Sequence, residues 1–191
     1  MKKIYIIAGP NGAGKTTASF TILPEIFDCK EFVNADEIAR GLSPFNPDEV
    51  AFQAGRIMIN RINELLNESK IFAFETTLAT KSYVSFIKKA KQNGYEIILL
   101  FLKLSSEELA IERVKTRVQE GGHNIPEETI KRRFKNGLKN LFQRYMPIVD
   151  KWILIDNSNK KFKFIAEGST NNIFVKDTLE WNQLKEKYYG N

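Results

Sequence analysis

Short apolar runs alternate along this chain with longer segments in which apolar residues recur at the spacing of a helix. The runs that have the length of a β-strand lie at residues 3–8, 31–34, 71–75, 95–103 and 151–156. Strands that alternate with helices in this way form parallel sheets with helices on both faces. We therefore predict an α/β fold with three layers, α/β/α, and a mainly parallel five-stranded sheet.

The predicted helices are marked by residues at their ends. Pro47, after Asn46, fits the first position of a helix, and Gly94 closes the helix that begins near Lys81. Ser105 with Glu108 forms a capping-box pattern. A further helix is predicted to start after residue 126 and to run to about residue 145.

The pattern changes after residue 156. Two short runs, residues 162–167 and 172–176, are separated by a polar segment that contains Gly168, which predicts a β-hairpin. A final helix is predicted from about residue 178 to 188. Because no repeat, low-complexity segment or linker interrupts the chain, we predict one domain over residues 1–191, with the C-terminal hairpin and helix at about 160–190.

The segment after the first strand carries the clearest candidate chemistry. In order, its residues are Gly9, Pro10, Asn11, Gly12, Ala13, Gly14, Lys15 and Thr16, followed by Thr17. The glycines let the loop curl so that backbone N–H groups point at phosphate oxygens. Lys15 would reach the β- and γ-phosphates, and Thr16 would ligate magnesium. A strand before the loop and a helix after it are the context this motif requires, so we predict a P-loop NTPase fold that binds ATP with Mg²⁺.

Other motifs narrow the class of P-loop protein. The sequence contains no LSGGQ signature, and the run that ends at Asp156 is followed by Asn157 instead of a glutamate, which argues against a transporter-type ATPase. Neither a DxxG nor an NKxD motif occurs, which argues against a GTPase. Kinase-like enzymes are the main class that remains.

Two carboxylates follow predicted strands at the edge of the sheet where ligands bind. Asp36 lies just after the second strand and Glu75 at the end of the third. A kinase needs one carboxylate to accept the proton of the attacking hydroxyl and others to position substrate or metal. A helix cap or a turn is the alternative interpretation of either residue.

Composition limits the partners and the compartment. The 191 residues carry a net charge of +6, which suits polyanionic small molecules as well as nucleic acid. The Phe residues fall mostly on strand or core positions, so we predict packing and do not expect a nucleic-acid partner. No apolar stretch approaches the length of a membrane span, so we expect no membrane partner. With Cys29 as the single cysteine, no internal disulfide can form, and we expect a cytoplasmic protein.

Four segments together resemble the zeta toxin family of P-loop kinases, whose known members phosphorylate UDP-N-acetylglucosamine. In chain order they read GPNGAGKTT, VNADEI, FETTLAT and IERVKTRVQEGGHNIPEETIKRRF, and they cover about residues 1–160. The resemblance implies transfer of the γ-phosphoryl group of ATP to a hydroxyl of a small molecule, with a nucleotide sugar as the candidate acceptor. It also implies an antitoxin protein as a candidate partner.

The resemblance further implies roles for individual residues. Asp36 would be the general base, Glu75, Thr77 and Thr80 would lie on the substrate side, and Arg113 would contact the transferring phosphate. For the family's second arginine, Arg117, Arg132 and Arg133 are competing candidates. Asp156 and Asn157 lie where related kinases hold adenine, and a polar turn is the alternative interpretation of that segment.

The arginine-bearing stretch also has a physical interpretation of its own. Gly121 and Gly122 interrupt a helix and Pro126 starts the next, which predicts a hinged lid over about residues 113–133. A surface hairpin of two helices is the alternative. His123 falls in the hinge, where we interpret it as an exposed loop residue.

We therefore predict an ATP-dependent kinase with an alcohol group as acceptor. A kinase that acts on the end of a nucleic acid is the first alternative, favoured only by the basic charge. A non-enzymatic regulatory module that binds nucleotide is the second.

Overall fold

The computed structural model describes residues 2–122, 124–159, 161–169 and 172–189. A single sheet runs through it, and its strands in chain order are β1 (Lys2–Ala8), β2 (Phe32–Val33), β3 (Phe72–Thr76), β4 (Tyr95–Lys103), β5 (Lys151–Asp156), β6 (Lys163–Ser169) and β7 (Ile173–Val175). The α-helices are α1 (Lys15–Glu25), α2 (Ala35–Leu42), α3 (Ala51–Asn67), α4 (Tyr83–Gln92), α5 (Glu107–Gln119), α6 (Glu127–Asn140) and α7 (Thr178–Tyr188). Within these described ranges, no helix combines the length and apolarity that a bilayer span requires.

The sheet has the order β2-β3-β1-β4-β5-β6-β7, and its first five strands in that order are parallel. β1 is central, with Ile6 paired to Phe74 of β3 on one side and to Leu99 of β4 on the other. These three side chains are fully buried because helices cover both faces, which is why the strands read as continuous apolar runs. The predicted mainly parallel α/β fold is confirmed.

The C-terminal hairpin is confirmed, but it is not separate from the sheet. β6 pairs antiparallel with β5, and β7 with β6, so the sheet has seven strands instead of the predicted five. Gly168 of β6 lies opposite Trp152, and a Cβ at this glycine would come within 2.4 Å of the indole ring. Trp152 in turn stacks on Trp181 of α7 with ring centroids 5.4 Å apart. The hairpin and α7 are therefore built onto β5.

Several helix boundaries differ from the sequence prediction. Pro47 begins a 3-10 turn, Pro47–Val50, that leads into α3. The cap of α5 is Ser106, whose side chain accepts from the N–H of Leu109 at 3.2 Å, so the prediction of Ser105 was wrong by one residue. The N–H of Ser105 instead donates to Ser158 Oγ at 2.7 Å, a tertiary contact that local sequence does not show.

Other helix predictions are confirmed. α6 is extended by a π-helical turn, Leu141–Tyr145, so the helical segment ends where expected. α7 occupies the predicted range. The carboxyl ends of β1, β2 and β3 all point to the same edge of the sheet, and ligands of such sheets bind beyond this edge.

Candidate active site

The loop between β1 and α1 packs closely against the sheet. Gly9 has a φ of 147°, and a Cβ at this position would lie 2.2 Å from the carbonyl oxygen of Leu102. Gly14 is the N-cap of α1 with a φ of 74°. Both positions require glycine, because a side chain would clash or would strain the backbone. The loop thus presents its backbone to a ligand at the N-terminus of α1, which favours anions.

Glu75, at the end of β3, links the side chains of the loop. Its Oε1 lies 3.4 Å from Lys15 Nζ, and its Oε2 accepts from Thr16 Oγ1 at 2.8 Å and from Asn34 Nδ2 at 3.0 Å. Lys15 Nζ also donates to the carbonyl of Pro10 at 3.0 Å. Glu75 was predicted on the substrate side, but its contacts are with the residues expected to hold phosphate and metal.

Asp36 lies in the first turn of α2, directly after the short strand β2. The cap of this helix is Asn34, whose Oδ1 accepts from the backbone N–H of Asp36 at 2.8 Å. Because Asn34 fills the capping position, the alternative interpretation of Asp36 as the helix cap does not apply. The half-buried Asp36 instead lines a cleft.

That cleft has a volume of about 930 Å³ and lies between α2, the start of α3, the loop after β3 and α6. Eight predicted site residues line it, namely Asn11, Lys15, Asp36, Glu75, Thr77, Thr80, Arg132 and Arg133. Arg133 Nη1 donates to Asn11 Oδ1 at 3.3 Å. Burial lowers the pKa of Arg133 from its ordinary value, and the negative charge of Asp36, which lines the same cleft, acts in the opposite direction.

The loop after β3 is held by the C-terminal part of α6 and the turn that follows. Asn140 Nδ2 donates to the carbonyl of Leu78 at 2.7 Å, and Tyr145 OH donates to the carbonyl of Thr80 at 2.7 Å. Burial raises the pKa of Tyr145 to about 12, which keeps the phenol a donor. Gly137 lets α6 approach the carbonyl of Thr77 closely. The backbone on which Thr77 and Thr80 sit is therefore fixed by the same helix that carries the arginines.

The cleft lining does not include Arg113, Asp156 or Asn157, which lie near the carboxyl end of β5. Arg113 Nη1 donates to the carbonyl of Asn157 at 2.7 Å and Nη2 to that of Ser158 at 2.8 Å. Nη1 also lies 3.4 Å from the carbonyl of Gly12, and Asn157 Nδ2 donates to the carbonyl of Ala13 at 2.8 Å. These contacts join the segment after β5 to the phosphate loop.

The carboxylate of Asp156 is engaged within the protein. Lys103 Nζ donates to its Oδ2 at 3.0 Å, and the N–H of Ser158 donates to its Oδ1 at 2.7 Å. Burial by itself raises the pKa of Asp156, but the hydrogen bonds from Ser158 and Lys103 outweigh burial and hold that pKa below its ordinary value. The adenine contact of Asp156 remains a prediction. In this geometry the carboxylate holds the backbone of the segment that follows β5.

The predicted lid corresponds to the end of α5, the connection and the start of α6. Gly121, just after the end of α5, has a φ of 90°. Gly122 packs on Arg117, and the N–H of Gly122 donates to the carbonyl of Arg117 at 2.8 Å. Lys115 pairs with Glu127 across the two helices at 2.8 Å. Motion of this lid remains a prediction, and His123 lies outside the described residues.

The sequence prediction missed part of the site. Asn34 is 5% exposed and contacts Thr16, Glu75 and Asp36, and its place directly after a strand and before an acidic pair is a recognisable capping signal. Phe52 and Arg56 of α3 also line the cleft. No local motif marks them, because only the packing of α3 beside α2 brings them to the site.

The sequence profile of the family described as zeta toxin matches residues 1–169. The chain belongs to the zeta toxin family. An uncharacterized protein of Haemophilus influenzae (strain Rd) is 33% identical to it over 134 residues, which cover 69% of this chain and 92% of the relative.

Solved structures share the fold at low sequence identity. A chain of the AvrRxo1-ORF1:-ORF2 structure with ATP has a TM-score of 0.78 and 15% identity, with 96% of this chain and 63% of that chain covered. This zeta toxin family member therefore spans less than two thirds of that protein. A chain from the PezAT chromosomal toxin-antitoxin system of Streptococcus pneumoniae has a TM-score of 0.62 and 16% identity, with 100% and 79% covered. A gluconokinase from Sinorhizobium meliloti has a TM-score of 0.53 and 15% identity, with 83% of each chain covered.

These likenesses show a common fold.

Proposed function

We propose that this protein is an ATP-dependent kinase that transfers the γ-phosphoryl group to a hydroxyl of a small molecule. The observation that carries the proposal is the convergence of Lys15, Asp36 and Arg133 on one cleft beside the phosphate loop. A phosphoryl transferase needs a cation at the phosphates, a proton acceptor and a second cation for the transition state. In this proposal Lys15, Asp36 and Arg133 fill these three roles.

The phosphates are held by backbone N–H groups of the loop and by Lys15. When ATP binds, the ammonium of Lys15 leaves the carbonyl of Pro10 and contacts phosphate oxygens, while its ion pair with Glu75 is retained. The loop is already shaped by glycines, so little reorganisation accompanies binding.

Magnesium fits the oxygen donors next to Lys15. Thr16 Oγ1 and Glu75 Oε2 lie 2.8 Å apart, and Mg²⁺ prefers such oxygen ligands together with water and substrate phosphates. Across the described residues no cluster of three or more His, Cys, Asp or Glu side chains could hold a metal alone, so the nucleotide would supply the remaining ligands. The ion would neutralise charge on the β- and γ-phosphates.

Asp36 accepts the proton of the acceptor. As the hydroxyl oxygen bonds to the γ-phosphorus, its proton passes to the Asp36 carboxylate, and the bond from the γ-phosphorus to the bridging oxygen breaks to release ADP. Arg133, which lines the same cleft as Asp36 and contacts Asn11 of the phosphate loop, stabilises the charge on the transferring group. Arg132 is exposed at the same edge and assists in binding anions.

The acceptor occupies the part of the cleft between α3 and the loop after β3. Arg56 lies 5.9 Å from the ring of Phe52 at the wall of the cleft, which offers a cation beside an aromatic surface. A volume of about 930 Å³ is large enough for a phosphorylated or sugar-containing molecule beside the phosphates. The nucleotide sugar UDP-N-acetylglucosamine is our first candidate, with Thr77 and Thr80 contacting it.

The test is an ATP-consumption screen over hydroxyl-bearing metabolites that includes UDP-N-acetylglucosamine, with phosphorylated products identified by mass spectrometry. Lys15→Ala should lower turnover by about 10²-fold or more, because one cation at the transferring charge is worth this much. Lys88→Ala, which removes an exposed lysine from α4, is the matched control and should retain activity.

Two other results would contradict the proposal. Phosphorylation of oligonucleotide ends without turnover of any metabolite would identify a nucleic-acid kinase. Tight ATP binding without turnover of any acceptor would identify a regulatory module.

We further propose an antitoxin protein as partner. The support is membership of the zeta toxin family and the fold shared with a chain from the structure of the PezAT toxin-antitoxin system. Growth arrest on expression of the wild-type chain, relieved by Asp36→Asn, is the expected outcome of a toxicity assay. Equal growth with both would contradict a toxic activity.

A further inference from the structure

A buried chain of ion pairs joins the C-terminal helix to the end of β5. Lys103, the last residue of β4, is 5% exposed, and its Nζ donates to Asp156 at 3.0 Å and also to Glu180. Glu180 lies in the first turn of α7, and its second oxygen accepts from the exposed Lys163 at 3.3 Å. Because a buried ammonium is costly unless it is paired, α7 supplies one of the two carboxylates that compensate Lys103.

The chain of contacts continues from Asp156 to the phosphate loop. Asp156 Oδ1 accepts from the N–H of Ser158 at 2.7 Å and from its hydroxyl. The carbonyls of Asn157 and Ser158 accept from Arg113, which also contacts the carbonyl of Gly12. Glu180 is therefore connected to the backbone of Asn157 and Ser158 through polar contacts, and Arg113 links that backbone to the phosphate loop.

The position of this path determines which part of the nucleotide it faces. The acceptor cleft lies over β2 and β3, on one side of β1, whereas the segment after β5 lies on the other side. Phosphates bound at the loop after β1 lie between the two. If the acceptor occupies the cleft, the side of β1 that carries Asn157 and Ser158 is the side left for the base of ATP.

We propose that Glu180 is a positioning residue for the nucleotide base. Through Lys103 and Asp156 it sets the backbone of residues 157–158, and thereby the affinity for the base. The phosphate loop keeps its shape without Glu180, because Gly9 packs against the carbonyl of Leu102 and Gly14 caps α1, so the affinity for phosphates is retained. This inference rests on the proposed function, because it takes ATP as the ligand. It assigns a role to α7, which lies beyond the residues that the family profile matches.

Two ligands separate a positioning role from a general effect on folding. Glu180→Gln keeps the shape of the side chain but removes the charge that faces Lys103. MgATP binding should weaken about 10-fold, the size expected for a lost hydrogen bond between charged groups. The affinity for inorganic tripolyphosphate, which has phosphates but no base, should change by less than about twofold. Both affinities are measured by titration calorimetry on the full chain.

Glu186→Gln makes the same chemical change at an exposed position of α7 and should alter neither affinity. Glu180→Asp retains the charge with a shorter reach and should restore part of the ATP affinity. If Glu180→Gln does not fold, the same comparison of ligands is made with Glu180→Asp.

The outcomes are distinct. If Glu180→Gln weakens the binding of both ligands equally, or changes neither affinity, the inference is overturned while ATP binding by the wild-type chain stands. Failure of the wild-type chain to bind ATP would overturn the proposed function itself, and this inference with it.

Discussion

Replacing Asp36 with asparagine tests the proton acceptor with little disturbance of the fold. The cap of α2 is retained, because the contact from Asn34 reaches the backbone N–H of residue 36 and not its side chain. The substitution therefore keeps the stabilisation from this capping bond, which is worth about 1 kcal/mol. Loss of the attraction to Arg133, at a partly exposed site, should cost less than about 1 kcal/mol of folding stability.

The expected effect on catalysis is much larger than the effect on stability. Loss of a general base lowers the transfer rate by roughly 10²- to 10⁴-fold, which corresponds to about 3–5 kcal/mol of activation free energy. ATP affinity should be nearly unchanged, because the phosphates are held by Lys15 and the loop. The gap between a small change in stability and a large change in rate is the signature of a proton acceptor.

The assay measures single-turnover phosphoryl transfer, ATP affinity and thermal melting on the same samples. Glu37→Gln is the matched control, since Glu37 is an exposed acid in the same helical turn that pairs with Arg40. It should transfer phosphate at the wild-type rate. An Asp36→Asn variant that melts normally, binds ATP and transfers at the wild-type rate would refute the assignment, and Glu75 would become the next candidate.

Two further predictions concern the frame of the site. Gly9→Ala should destabilise the fold by about 1–3 kcal/mol and lower ATP affinity, because a Cβ would meet the carbonyl of Leu102 at 2.2 Å. At Gly41 in α2 no atom lies within 4 Å of an added Cβ, so Gly41→Ala should raise the free energy of unfolding, measured by urea denaturation, by about 0.5–1 kcal/mol. Equal effects of the two substitutions would contradict this account. The lowered pKa of Asp156 means that its contribution to stability is present at neutral pH and is lost as the pH falls from about 4 toward that lower pKa. Asp156→Asn should therefore flatten the acid side of a plot of melting temperature against pH, and an equally steep decline in the variant would refute this.

The sequence by itself determined the parallel strands and the phosphate loop. β1, β3 and β4 are largely buried on both faces, so each reads as an apolar run from which the strand is recognised. Gly9, Gly14 and Lys15 were identified because a phosphate loop is a local structure, whose strand, turn and helix are contiguous in the chain. Asp36 and Glu75 were found for a related reason, since Asp36 lies just after a strand and Glu75 at the end of one.

Tertiary structure alone decided which of these side chains meet. Among the candidate arginines, α6 brings Arg133 to the cleft that Asp36 lines, whereas Arg113 contacts the segment after β5. Charge spacing along the helices does not distinguish these two positions. Glu180 lies 77 residues from Lys103 in sequence, so no motif could connect them. Such contacts depend on how helices pack on the sheet, which is a property of the whole fold and not of any local segment.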